Sequence, residues 1–128
     1  MIYNLANNLI TYFNTYEFVI NGFQPNSPNE CILISDTGGS PGHYYDRTDY
    51  RIQFLIRSLD VVTGKKVADE IYAYVKNKFH WVLPAVTVGG KTYPEVKVAQ
   101  ISPIQSPGSI GPDEEGRWLF SFNSYVVV

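Results

Sequence analysis

The sequence predicts an α/β fold of the α+β kind: a mixed, mainly antiparallel sheet flanked by an N-terminal helix and a central helix. Three observations carry this. Residues 49–59 alternate, with Tyr50, Ile52, Phe54 and Ile56 on one side and Arg51, Gln53 and Arg57 on the other; a period of two is a strand with one buried face. In 61–79 the period changes. Val67, Ala68, Ile71, Tyr72, Val75 and Phe79 recur at three- and four-residue steps and share one side of a helix. The remaining β-favouring runs are short and separated by Gly- and Pro-rich stretches.

The elements follow in order. Residues 2–16 read as a helix with an apolar stripe of Ile2, Leu5, Ala6, Leu9, Ile10 and Phe13 and a polar side of Asn4, Asn7, Asn8, Thr11 and Asn14. Its asparagines lower intrinsic propensity, so it needs tertiary packing to persist. Residues 17–21 form a short strand around Phe18, Val19 and Ile20, and 22–30 a loop with two prolines and a glycine. The apolar run 31–35 is a buried strand, and 36–46, rich in Gly, Ser and Pro, a loop. Asp60 caps the helix 61–79. Residues 80–85 are a turn, since Pro84 bars helix continuation. The runs 86–88 and 91–93 flank Gly89-Gly90 as a tight hairpin whose central residues take positive φ. A strand runs from 96 to about 101, a long loop fills 102–116, and a last strand, 117–127, turns Trp118, Phe120, Phe122 and Val126 to one side.

At 128 residues the chain reads as a single domain, 1–128, with ordinary apolar content and room for a core. The net charge of -2 and scattered basic residues give no nucleic-acid footprint. No signal peptide and no membrane-spanning stretch is read. Cys31 is the one cysteine, so no intrachain disulfide forms, which fits a reducing compartment. Ten tyrosines make the chain rich in a residue favoured both in strands and at protein contacts.

Four patterns raise the question of chemistry. Asp36-Thr37-Gly38 after an apolar strand looks like the loop of an aspartic protease, in which paired carboxylates share a proton and activate water. One copy would require a dimer, the continuation Gly39-Ser40-Pro41 differs from that family, and the simpler reading is a turn. His43, His80 and Cys31 are too few for a zinc site, so no metal or cofactor is expected; Cys31 reads as a buried inert thiol. Thr63-Gly64-Lys65-Lys66 echoes the end of a phosphate-binding loop, but the position four before Gly64 is Asp60, whose charge repels phosphate. Asp113, Glu114 and Glu115 read as a solvated acidic run. No catalytic constellation assembles, so the expectation is a binding or assembly module rather than an enzyme.

The order of features resembles a family. It comprises the N-terminal helix with its stripe over 2–13, the loop Pro25-Asn26-Ser27-Pro28-Asn29-Glu30 entering an apolar strand and Asp36-Thr37-Gly38-Gly39, and the strand Arg51-Ile52-Gln53-Phe54-Leu55-Ile56-Arg57-Ser58 followed by a helix with Ile71-Tyr72. It closes with Gln105-Ser106-Pro107, Ile110-Gly111, Asp113-Glu114-Glu115-Gly116-Arg117 and a C-terminal strand holding Phe120, Phe122 and Asn123. Together these resemble the minor capsid or tail-completion proteins of long-tailed bacteriophages, the tail terminators. The connection Val62-Thr63-Gly64 and Pro112 depart from the pattern locally.

The resemblance implies a virion protein, assembled in the host cytoplasm, that forms a homo-oligomeric ring, typically a hexamer, on the head-proximal end of the tail tube. The ring ends tube polymerisation and presents a surface to the head connector or adaptor. Its partners are then itself, the tail tube protein and the connector. A connector or adaptor protein of similar size is the alternative within the structural class, and a dimeric protease using Asp36 the alternative outside it. Two loops are longer than connections require, which makes them the candidate contact surfaces: 38–45, with His43, Tyr44 and Tyr45, and 104–116, with Ile110, Asp113 and Glu114 and the adjoining Arg117.

Overall fold

A computed structural model describes residues 1–41, 48–76 and 78–128. Helix α1 spans Ile2–Tyr12 and α2 spans Val61–Val75. The strands are β1 (Phe18–Ile20), β2 (Cys31–Pro41), β3 (Thr48–Ser58), β4 (Phe79–Leu83), β5 (Val86–Val88), β6 (Lys91–Tyr93), β7 (Val96–Pro103), β8 (Gly108–Pro112) and β9 (Trp118–Val127). The main sheet runs β1-β2-β3-β9-β7-β4, with β8 also on β9; β5 and β6 form a separate hairpin. The β1–β2 pair is parallel and the other pairings among the described residues are antiparallel. The sheet is therefore mixed and mainly antiparallel, flanked by two helices, as the sequence predicts.

The core lies on one face of this sheet. Ile52, Phe54 and Ile56 of β3 meet Phe120, Phe122 and Val126 of β9, and Ala68, Ile71 and Val75 of α2 close over them. Phe54 and Phe122 stack with centroids 4.7 Å apart, and Tyr72 of α2 meets Phe122 edge-on at 5.5 Å. Each fully buried aromatic or branched aliphatic contributes about 1.5–3 kcal/mol, so this face accounts for the sheet–helix layer. Helix α1 packs against β1 and β2 at one edge of the sheet, against β4 at the other, and against β5 of the separate hairpin. The sheet thus curls around it, and Leu5, Ala6 and Leu9 are buried.

Several predicted boundaries move, each for a physical reason. Helix α1 stops at Tyr12, not 16, because Phe13 leaves helical geometry at φ -104, ψ 64, and Tyr16 turns to donate to a carboxylate oxygen of Glu70 on α2. Helix α2 is capped as predicted, with Asp60 accepting the N–H groups of Val62 and Thr63. It ends at Val75, since Lys76 is extended at φ -60, ψ 129. Phe79 is therefore not on its apolar face: it opens β4, where a turn was expected over 80–85, and is exposed. Pairing of Phe79, Trp81, Val82 and Leu83 with β7 overrides the helical period. His80, at φ 49, sits where the alternation slips: Val98 and Ile101 are buried three residues apart instead of two.

Strand β2 continues through the expected loop to Pro41. Its pairing with β3 shifts register between Asp36 and Gly39, where Gly38 takes φ 96 and donates to Asp36 Oδ1 at 2.9 Å. The Asp-Thr-Gly string is a β-bulge closed by its own carboxylate. The expected loop 102–116 contains β8. Strands β7 and β8 run in line against β9, Pro103 opposite Ser124 and Gly108 opposite Ser121. Residues 104–107 loop out between them, held by the Ile104 N–H on the Asn123 carbonyl at 2.8 Å.

Two polar residues placed on solvent faces are buried. Asn4 of α1 donates through Nδ2 to the carbonyls of Pro84 at 3.0 Å and Pro94 at 2.9 Å, tying the helix to both ends of the β5–β6 hairpin. Arg57 lies under the loop 22–30, donating to the carbonyls of Ser27 and Pro28 with its guanidinium 4.0 Å from the Phe23 ring centroid. The hairpin turn is as predicted, with Gly89 at φ 59 and Gly90 at φ 78.

Candidate assembly surfaces

The acidic run 113–115 is a built turn. The Asp113 N–H donates to the Arg117 carbonyl at 2.8 Å, and Asp113 Oδ1 accepts the N–H groups of Glu115 and Arg117, both at 2.9 Å. Asp113 Oδ2 accepts from Arg117 Nε at 2.8 Å. Gly116, at φ 78, supplies the left-handed residue that lets β8 return as β9. Burial pushes the Asp113 carboxyl up, but the backbone and side-chain hydrogen bonds from Arg117 and the Glu115 N–H outweigh it and hold the group below the usual carboxylate value. Asp113 and Arg117 are thus committed to each other. Glu114 is exposed, as is Ile110 of β8 at 59 %. His43, Tyr44 and Tyr45 lie outside the described residues.

The residues considered for chemistry have structural duties. Asp36 is in the bulge described above. The Cys31 thiol is buried, and burial pushes it up against the opposing pull of Arg57. Among the described residues no group of three or more His, Cys, Asp or Glu is placed to hold a metal ion. None of their helices is long and apolar enough to cross a membrane. Gly64 packs under Phe120: a Cβ there would stand 2.8 Å from its ring and 3.1 Å from Ser58 Cβ. That close approach of helix to sheet explains the glycine at the start of α2. A groove of about 480 Å³ opens between the α1–β1 link, the start of β2 and the first turns of α2, lined by Tyr16, Glu30, Cys31, Arg57 and Val67 among others.

Some exposed apolar residues lie at places the two-loop expectation missed, among them Ile10 and Tyr12 of α1. Leu59, Val61 and Val62, where β3 passes into α2, are 53, 40 and 72 % exposed. At the far end of α2, Phe79 and Val82 of β4 are 57 and 48 % exposed. Ile104, at the start of the expected loop 104–116, is also exposed. A signal was present for the first group: Val61 and Val62 lie off the helical stripe that starts at Val67. None was present for Phe79, which fits that stripe by spacing.

Comparison with protein families gives a match: the family described as "Bacteriophage tail terminator protein" matches residues 5–128. The chain belongs to the bacteriophage tail terminator family. The match starts within α1 and runs through β9, so it takes in the sheet, both helices and the turn 113–117. This makes the terminator a structural protein of a phage tail, as the resemblance implies. A comparison with the curated proteins gives no match.

Proposed function

We propose that this terminator closes the head-proximal end of the tail tube as a homo-oligomeric ring. The ring, built from one domain per subunit and with six as the proposed number, stops the addition of tube subunits and offers its opposite face to the head connector or adaptor. The mechanism is capping by shape and charge complementarity, with no catalytic step. The single observation that carries this reading is the family match over residues 5–128. Supporting it are the exposed apolar residues at the start of α2 and in β4 beyond its end, which a soluble monomer has little reason to keep. Tyr44 and Tyr45, with Ile110 and Glu114, are the proposed contacts to neighbouring subunits or to the tube.

The test is growth arrest. Purified tube protein from the same phage is polymerised with and without the terminator, and tube lengths are measured by electron microscopy. The expected result is that sub-stoichiometric terminator stops elongation at one end. Unaltered length distributions with excess terminator contradict the proposal.

A further inference from the structure

Asparagine is among the thermolabile side chains of proteins, and Asn21 is the one asparagine in the sequence that a glycine follows. It stands where β1 passes into the loop 22–30. Its φ of 66 lies in the left-handed region, which asparagine enters more readily than most residues. Its main chain still serves the sheet, because its N–H donates to the Ile34 carbonyl at 2.9 Å. Its side chain is held as well: Oδ1 accepts the Asp36 N–H at 3.1 Å. That donor polarises the side-chain carbonyl and points at the oxygen on which negative charge gathers when Cγ is attacked. The nucleophile is the nitrogen of the next residue. Among the described residues the Gly22 N–H meets no acceptor. Asn21 is exposed, and nothing stands within 4 Å of a Cβ built on Gly22. Water and hydroxide therefore reach this peptide, and glycine puts no side chain in the way of ring closure.

We propose that Asn21-Gly22 is a site of self-modification, at which the chain slowly converts its own asparagine to a carboxylate. Hydroxide takes the proton from the Gly22 nitrogen, which bonds to Asn21 Cγ. The Cγ–Nδ2 bond breaks, and ammonia leaves with a proton from water. Water then opens the cyclic imide at one carbonyl or the other. One product is aspartate, whose side chain still accepts from Asp36. The other is isoaspartate, in which the main chain runs through the former side chain and gains a methylene. This second product moves the start of the loop 22–30. The Phe23 ring of that loop lies 4.0 Å from the Arg57 guanidinium, and its Ser27 and Pro28 carbonyls accept from it. Modification at one surface bond is thereby coupled to the cover over a buried cation.

Ageing of the purified protein tests it. Samples are incubated at pH 6 and pH 9, digested, and mapped by peptide mass spectrometry, with isoaspartyl methyltransferase to count isoaspartate. The expected result is an amide-to-acid mass gain at Asn21, faster at pH 9, with the other asparagines unchanged over the same time. Gly22→Ala, whose added Cβ meets no atom within 4 Å, should match the wild type in circular dichroism and lose most of the conversion. Aged wild type should melt below fresh wild type, and aged Gly22→Ala should not shift. An Asn21 that stays an amide while a synthetic peptide of residues 17–27 converts overturns the site. Conversion spread equally over the other asparagines, or a Gly22→Ala variant that converts as fast as wild type, overturns it too. Conversion with an unchanged Tm overturns the coupling to the loop.

Discussion

Arg117 and Asp113 lock the tip of the β8–β9 hairpin on each other: Nε donates to Oδ2 at 2.8 Å while Oδ1 takes two backbone N–H groups. The turn that carries the exposed Glu114 is rigid because its neighbours in sequence are fully engaged with one another. A rigid acidic knob loses little conformational entropy on contact, which suits an assembly surface.

This bond makes stability pH-dependent in a defined direction. The folded Asp113 carboxyl is held below its ordinary value of 3.8. Its contribution is therefore present above pH 3.8 and lost as pH falls through the lower folded value. Asp113→Asn should lower Tm at pH 7, and the difference from wild type should shrink in acid below the ordinary value. Thermal melts at pH 7 and at pH 3 measure it; an equal Tm difference at both refutes the assignment.

Tyr16 gives the mirror case. Its hydrogen bond to Glu70, together with burial and the Glu70 charge, pushes the phenol up to about 12. The stabilisation is complete below the ordinary value of 10 and is lost as pH rises toward about 12. Tyr16→Phe should be less stable than wild type at pH 8, and the gap should narrow between pH 10 and 12. Urea titrations across that range are the measurement.

Asn4→Ala should destabilise by about 1–3 kcal/mol, because it strips hydrogen-bond donors from two buried-side carbonyls. Those carbonyls belong to Pro84 and Pro94. The loss should loosen the β5–β6 hairpin first, so amide exchange should quicken at Val86 and Tyr93, the hydrogen-bonded pair next to the two prolines, before it does in β3.

Gly64→Ala separates two opposed effects. Helix propensity alone favours alanine by about 1 kcal/mol. The added Cβ would meet the buried Phe120 ring at 2.8 Å, and overpacking of that kind costs about 1–3 kcal/mol. The collision should win, leaving the variant less stable in urea denaturation. A stabilised variant would mean that α2 rides freely on the sheet.

The layer of β3, β9 and α2 was legible in the sequence because each of these elements holds one hydrophobic period over several turns or pleats. The Asp60 cap and the Gly89-Gly90 turn were legible because local chemistry alone specifies them. What was not legible depended on partners distant in the chain. Phe79 continues the α2 stripe by spacing, yet pairing with Gln100 pulls it into a strand. Strand β8, Gly108–Pro112, has almost no β propensity of its own and exists because β9 offers it a ladder. Asn4 and Arg57 read as solvated until the prolyl carbonyls and the loop 22–30 that cover them are in place. Of the contact residues chosen from loop length, Ile110 and Glu114 are exposed, whereas Asp113 and Arg117 serve the turn. The exposed ends of α2 were missed because exposure is a property of the assembled layer.

The most direct test of the central claim is to locate the protein on the tail. Purified tails carrying a tagged terminator are imaged by electron microscopy with a label against the tag. The expected result is label at the head-proximal end alone, and tubes of uncontrolled length when the gene is deleted. Label at the distal tip or along the tube, with normal tube length in the deletion, would contradict it.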